Sequence, residues 1–288
     1  MWTDSSGDKS LRRGAKMYGP VIGPAEKNRT KLAVLPGAQP NWAFFLDIDG
    51  TLLALAATPA GVMVDRGLKQ TLGQLHAATA GAIALISGRR IGEVDSLFAP
   101  LRLPTAGQHG IERRDGSGVV HRYAAPSHRF GEIKNRLAPL IARHPGLLLE
   151  EKGLTLAIHY RQVPSLGGYL HRLLREWVNS AVDLRLQPGK MVVELIPIGS
   201  DKGSTITKFM SEIPFRGRIP VFLGDDVTDE YGFSVVNAVN GHSIKVGPGR
   251  TVARWRLPDV HAVRSWLEQC ASTLAPARSG EQSRGRAK

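Results

Sequence analysis

Continuous apolar runs at 43–46, 83–86 and 221–223 each end in polar or turn-forming residues. Runs so short, and apolar at every position, predict strands of a parallel sheet covered on both faces. Between the first two, Leu68, Leu72 and Leu75 recur at helical spacing and predict a helix over 66–78. The alternation continues with a helix near 91–98 and a strand near 103–106. It resumes after residue 197 with a helix over about 202–212 and the strand at 221–223. A helix from Thr228, a strand at 243–246 and a final helix over about 258–270 follow. Strands and helices in this order describe an α/β fold on a parallel sheet, with core segments 40–112 and 197–272.

Residues 113–196 follow another pattern. A helix near 128–144 precedes two strands joined at Lys152-Gly153. A second helix near 164–181 precedes two strands joined at Pro188-Gly189. Glycine at both turns suits hairpins. Helix and hairpin, twice over, predict an antiparallel α/β unit inserted into the core as a cap. Within it, Thr155, Ala157, His159 and Arg161 share one strand face, while Leu154, Leu156, Ile158 and Tyr160 share the other. Lys190, Val192 and Glu194 likewise fall on one face of the last strand.

With 288 residues and 42% apolar content, the chain can bury one large core or two modest ones. No stretch approaches the ~18 apolar residues of a membrane span. The N-terminus has no apolar signal region, so a cytoplasmic location is expected. The single cysteine, Cys270, excludes an internal disulfide and a multi-cysteine metal site. Net charge is +13, unevenly placed. Residues 1–31 hold seven Lys/Arg against three Asp/Glu, and 277–288 hold four against one, so the ends carry +4 and +3. Segments 1–39 and 273–288 are therefore expected to be flexible and basic. The remaining +6 suits an enzyme with an anionic substrate.

Four motifs lie at strand ends or helix starts: Asp47-Ile48-Asp49-Gly50-Thr51, Ser87-Gly88-Arg89, Asp201-Lys202-Gly203, and Gly224-Asp225-Asp226-Val227-Thr228-Asp229-Glu230. Ligands of such sheets bind outside the carboxyl ends of the strands, so these loops are expected to meet. Asp47 and Asp49, two apart on extended chain, point to one side. The pair suits phosphoryl transfer. Asp47 would be the nucleophile, forming an aspartyl-phosphate that divides one high barrier into two lower ones. Asp49 would be the general acid toward the leaving alkoxide, then the base toward water. Gly50 permits a turn that brings backbone N–H groups to the phosphate. Ser87 and Gly88 offer a hydroxyl and an N–H, and Lys202 offers a balancing positive charge. Two carboxylates beside a phosphate require a divalent cation. Mg²⁺ is expected on the Asp47 side chain, the Asp49 carbonyl and the Asp225 side chain, with Asp229 in support. For Asp226, Thr228 and Glu230 the plainer reading is attraction of acidic and polar groups to the positive end of a helix. His76, His121, His144 and His261 have no partner at metal-ligand spacing, and the five tryptophans are scattered. Both sets are expected to be structural.

In this order, the motifs resemble those of the haloacid dehalogenase-like phosphatase superfamily, over about 43–250. Three further stretches are similar to the trehalose-6-phosphate phosphatases within it. They are Gly107-Gln108-His109-Gly110, Glu151-Lys152 leading to His159-Tyr160-Arg161, and Gly189-Lys190 leading to Glu194 and Pro197. The resemblance implies a Rossmann-like core, an α/β cap inserted after the third core strand, Mg²⁺, and a small sugar phosphate from which trehalose is released. It implies substrate contacts along Asp47, Ile48, Asp49, Gly50, Thr51, Ser87, Gly88 and Arg89. In the cap it implies sugar contacts by Lys152, Lys190 and Glu194, joined by His109, His159 and Arg161. Other capped phosphatases, acting on sucrose, mannosyl or hexose phosphates, are the nearest alternative. A non-catalytic sugar-phosphate sensor is opposed by the intact Asp47, Asp49, Lys202 and Asp225. A nucleic-acid binder is opposed by basic tails without aromatic interleaving. No membrane partner is expected, and oligomeric state is not set by the sequence.

Overall fold

The apolar runs form strands whose side chains sort to two faces. In β1 (Trp42–Asp47) all six residues are buried. Phe44 and Leu46 enter one core, Ala43 and Phe45 the other, as the two-residue period of a strand requires. The structure is a computed structural model that describes residues 35–55, 63–122, 127–179, 183–189 and 191–275. After β1 come α1 (Arg66–Ala78), β2 (Ile83–Ile86), α2 (Ile91–Phe98), β3 (Thr105–Gly107), β4 (Glu112–Arg114) and β5 (Val120–Arg122). The middle of the chain forms α3 (Ser127–Arg143), β6 (Leu148–Glu151), β7 (Leu156–His159), α4 (Gly167–Asn179), β8 (Leu184–Gly189) and β9 (Val192–Pro197). The last part forms α5 (Lys202–Met210), β10 (Ile219–Gly224), α6 (Glu230–Ala238), β11 (His242–Val246), β12 (Trp255–Leu257) and α7 (Val260–Leu274).

The large sheet runs β12-β11-β10-β1-β2-β3-β4-β5. It is parallel from β12 to β3, and the β4–β5 hairpin adds two antiparallel strands at one edge. Helices cover both faces. Leu68, Leu72 and Leu75 of α1 and Val263 and Leu267 of α7 close one core. Ile206 and Phe209 of α5 and Phe233 and Val236 of α6 close the other. The fold is thus the expected α/β, Rossmann-like core with an inserted α/β cap.

The cap sheet runs β6-β7-β9-β8, antiparallel throughout. Its helices cover one face, where Leu156, Ile158, Val193 and Leu195 meet Phe130, Leu137, Leu170 and Leu174. Two details differ from expectation. Residues 113–122, expected in the insertion, instead extend the core sheet, because β4 pairs with β3 and β5 with β4. The second cap turn follows Gly189 rather than centring on Pro188-Gly189, with Met191 in the left-handed region at φ 63°. Of the expected flexible ends, residues 1–34 and 276–288 lie outside the described residues, as does Lys190, whereas Thr273 and Leu274, expected in the tail, continue α7. Among the described residues no helix is long and apolar enough to cross a membrane.

Candidate active site

Parallel pairing brings the motif loops together. Leu46 of β1 stands opposite Leu223 of β10, and Asp47 stands opposite Ile86 of β2. Asp47, Ser87 and Asp225 therefore emerge from neighbouring strands at the same end of the sheet. Gly50 has φ 92°, and a Cβ there would fall on the Asp225 carboxylate, so only glycine lets the first loop pass. α5 begins beside them. Its N-cap Asp201 accepts the Ser204 N–H at 2.7 Å, which fixes the first turn and directs Lys202 into the site.

Lys202 donates to Asp47 Oδ1 at 2.7 Å and to Asp229 Oδ1 at 2.6 Å, and all three side chains are buried. Asp229 also accepts the Asp226 N–H at 2.8 Å. Carboxylate oxygens of Asp47, Asp225 and Asp229 lie within 4.8 Å of one another. Burial pushes the Asp47 carboxyl well above the usual range, and the neighbouring Asp229 and Asp225 add to that against Lys202. Burial opposes the Lys202 charge, but Asp229 and Asp47 outweigh it and raise its pKa. Three carboxylates around one ammonium, those of Asp47 and Asp229 buried and that of Asp225 half-buried, leave net negative charge in an all-oxygen donor set, which fits a hard divalent cation. Asp229, expected only in support, is itself one of the three.

The Asp49 carboxylate lies outside that group. Arg89 grips it with two parallel bonds, Nε to Oδ2 at 2.7 Å and Nη2 to Oδ1 at 2.6 Å. Arg89 is in turn held where Ser87 Oγ accepts its backbone N–H at 3.1 Å. Asp47, Asp49, Ser87, Gly88, Arg89, Lys202 and Asp225 line one cleft of about 560 Å³, within the ~300–1,000 Å³ of ligand pockets. Ile48, Gly50 and Thr51 do not line it. Ile48 and Thr51 are fully buried, so these three could meet a ligand only through the backbone.

The opposite wall belongs to the cap. Register places Glu150, Ala157, Glu194 and Gln187 in one row across the cap sheet, and Leu148, His159, Val192 and Gly189 in another. Every member but Ala157 lines the cleft, as do Lys152 and Arg161. Glu194 accepts from Lys152 at 2.7 Å and meets His109 Nε2 at 2.8 Å. Burial alone would raise the Glu194 pKa, but His109 and Lys152 outweigh it and hold the carboxyl far below the usual range. His159 pairs with Glu150 at 2.8 Å, and that bond holds the Glu150 pKa down. His109 comes from the core. It sits at φ 59°, its N–H bonds the Ser87 carbonyl at 3.0 Å, and its ring lies 3.0 Å from where a Cβ on Gly88 would be.

Sequence reasoning missed Glu150 and Gln187. Glu150 was accessible in principle, being two residues from Lys152 on extended chain. Gln187 was not, because its place depends on pairing with β9. His121, expected to be structural, meets Asp115 at 2.6 Å on the β4–β5 hairpin, and neither residue lines the cleft.

Comparison with known proteins agrees with this geometry. Residues 45–259 match the family described as Trehalose-phosphatase. The chain is 44% identical over 252 residues to the trehalose-6-phosphate phosphatase of Escherichia coli K12, covering 88% of this chain and 95% of that one. It is 42% identical over 235 residues to a probable trehalose-phosphate phosphatase of Sinorhizobium fredii, covering 80% and 88%. In fold it is similar to the C-terminal domain of the C. albicans trehalose-6-phosphate phosphatase, with a TM-score of 0.73 at 24% identity over 82% of this chain and 94% of that one. The chain is a phosphatase and belongs to the trehalose-phosphatase family.

Proposed function

We propose that the chain hydrolyses trehalose 6-phosphate to trehalose and inorganic phosphate through an aspartyl-phosphate on Asp47. The observation that carries this reading is a single cleft with two unlike walls. Asp47, Lys202, Ser87 and Arg89 on the core suit a phosphoryl group, and Lys152, Glu194 and His109 suit sugar hydroxyls.

In the first step an Asp47 carboxylate oxygen bonds to phosphorus while the bond from phosphorus to the sugar oxygen breaks. The Asp49 carboxyl donates its proton to that departing oxygen. Lys202, Ser87 and the Arg89 fork hold the phosphoryl oxygens as charge shifts among them. Arg89 grips Asp49 in the free site, so an incoming phosphoryl group competes for the fork and releases Asp49 to act as an acid. In the second step the Asp49 carboxylate takes a proton from water. The water oxygen then bonds to phosphorus, and the bond to Asp47 breaks. Asp47, Asp225 and Asp229 would hold a divalent cation, read as Mg²⁺. When bound, it supplies positive charge that offsets the three carboxylates and the phosphate.

The core wall touches only the phosphoryl group, which all sugar phosphates share. Discrimination falls to the cap, through Lys152, Glu194, His159 and Arg161 with Lys190 adjoining them in sequence, and to His109, which reaches it from the core. A buried charge left without its hydroxyl partner costs about 1–3 kcal/mol, so one or two mismatches amount to a hundredfold, about 2.7 kcal/mol. The test is a phosphate-release panel with and without Mg²⁺. A preference of at least about a hundredfold in kcat/KM for trehalose 6-phosphate over glucose 6-phosphate and sucrose 6-phosphate is expected. A monosaccharide phosphate as the best substrate would refute the substrate, and full activity in excess chelator would refute the metal.

A further inference from the structure

Lys245 belongs to none of the motifs in the sequence, yet it lies against the acidic cluster. It sits on β11 directly opposite Gly224 of β10 and is only 5% exposed. Its strand neighbours Ile244 and Val246 face the core formed with α1 and α7, so Lys245 points to the other side of the sheet. Burying an ammonium at a strand position that could take an apolar side chain is costly unless it is hydrogen-bonded. Here it donates to two backbone carbonyls, those of Asp225 and Val246, the second at 2.9 Å. The carboxylates of Asp225, Asp229 and Glu230 lie within its electrostatic reach.

We propose that Lys245 is a positioning residue for the cation site. By tying the Asp225 main chain to the end of β11, it sets the direction from which the Asp225 carboxylate enters the cluster with Asp47 and Asp229. A carboxylate on a loop can swing, and its affinity for an ion depends on how little freedom it must lose on binding. The inference rests on the reading of this cluster as a divalent-cation site.

A positioning role and a counter-charge role differ in sign. If Lys245 were only a counter-charge, replacing it by neutral Met would remove repulsion of the incoming cation and tighten binding. If it positions Asp225, the same change loosens the loop and weakens binding. The experiment titrates Mg²⁺ by calorimetry into metal-free wild type, Lys245→Met and, as the reference for a lost ligand, Asp225→Asn. Circular dichroism reports the fold of each. For Lys245→Met we expect Mg²⁺ affinity about ten- to a hundredfold below wild type, the range typical of lost partners behind a ligand. The Mg²⁺ concentration for half-maximal phosphatase activity should rise in parallel, while kcat at saturating Mg²⁺ stays within a few-fold. Equal or tighter Mg²⁺ binding by folded Lys245→Met overturns the positioning role and leaves the cation site standing. Failure of the wild type to bind Mg²⁺ overturns both. A Lys245→Met chain that does not fold also overturns it, since Lys245 would then serve the sheet rather than the site.

Discussion

Replacing Asp225 by Asn should stabilise the metal-free protein while removing its response to Mg²⁺. Carboxylate oxygens of Asp47, Asp225 and Asp229 lie within 4.8 Å of one another. At an effective dielectric of ~20, two unit charges at that distance repel by about 3.5 kcal/mol. Lys202 relieves Asp47 and Asp229 directly, at 2.7 and 2.6 Å. The raised Asp47 pKa means that protonation relieves more, and Lys245 lies near Asp225. After these offsets a net gain of about 1–2 kcal/mol is expected from the loss of one charge, since Asn keeps the shape and an acceptor. For a domain of this size that is roughly 2–8 °C in Tm. Mg²⁺ should reverse the order. A ligand at ~100 times its Kd adds about 2.7 kcal/mol to a protein that binds it only when folded, and the variant should gain little of this. Differential scanning calorimetry of both proteins, in EDTA and in saturating Mg²⁺, reads the four values. A lower Tm for Asp225→Asn in EDTA, or equal Mg²⁺ shifts in the two proteins, would refute the electrostatic reasoning.

Asp47→Asn should abolish turnover while the protein remains folded, because an amide cannot form the acyl-phosphate; residual activity in a clean preparation above about one part in a thousand would remove Asp47 as the nucleophile. Glu194→Gln should cut the preference for trehalose 6-phosphate over glucose 6-phosphate by at least about tenfold, and unchanged kcat/KM ratios would show that the sugar is read elsewhere. The same variant carries a pH prediction. Because the Glu194 pKa is lowered in the folded state, its ion pairs contribute stability above the ordinary carboxylate value of ~4.3. That contribution is lost as pH falls through the lower folded value. Wild type should therefore melt above Glu194→Gln at pH 7, with the gap closing at strongly acid pH; a gap that widens on acidification reverses the sign and rejects the assignment.

The strands and helices of the core were legible because each announces itself locally. Helix α1 runs over 66–78 as its leucine spacing predicts, and β2 over 83–86 as its apolar run predicts. The missed pieces are short and lean on others. β4 and β5 form a brief hairpin whose exposed second strand carries no apolar run, and β12 is three half-buried residues at the far edge. None has a pattern that stands out before its neighbour is in place.

By itself the sequence determined the α/β class, the inserted cap, the strand-end location of Asp47, Asp49, Ser87 and Asp225, and the helix start that bears Lys202. These follow from periodicity and from motifs whose members are a few residues apart, where chain geometry alone fixes which way side chains point. Tertiary structure decided what those side chains touch. Asp49 and Arg89 are 40 residues apart when they form their fork. Lys202 and Asp47 are 155 apart, and His109 and Glu194 are 85 apart across core and cap. Asp229 joins the cluster, and Lys245 reaches Asp225, only because strand register and helix placement put them there. Such contacts depend on pairing across long stretches of chain, and nothing in the local spacing of residues encodes them.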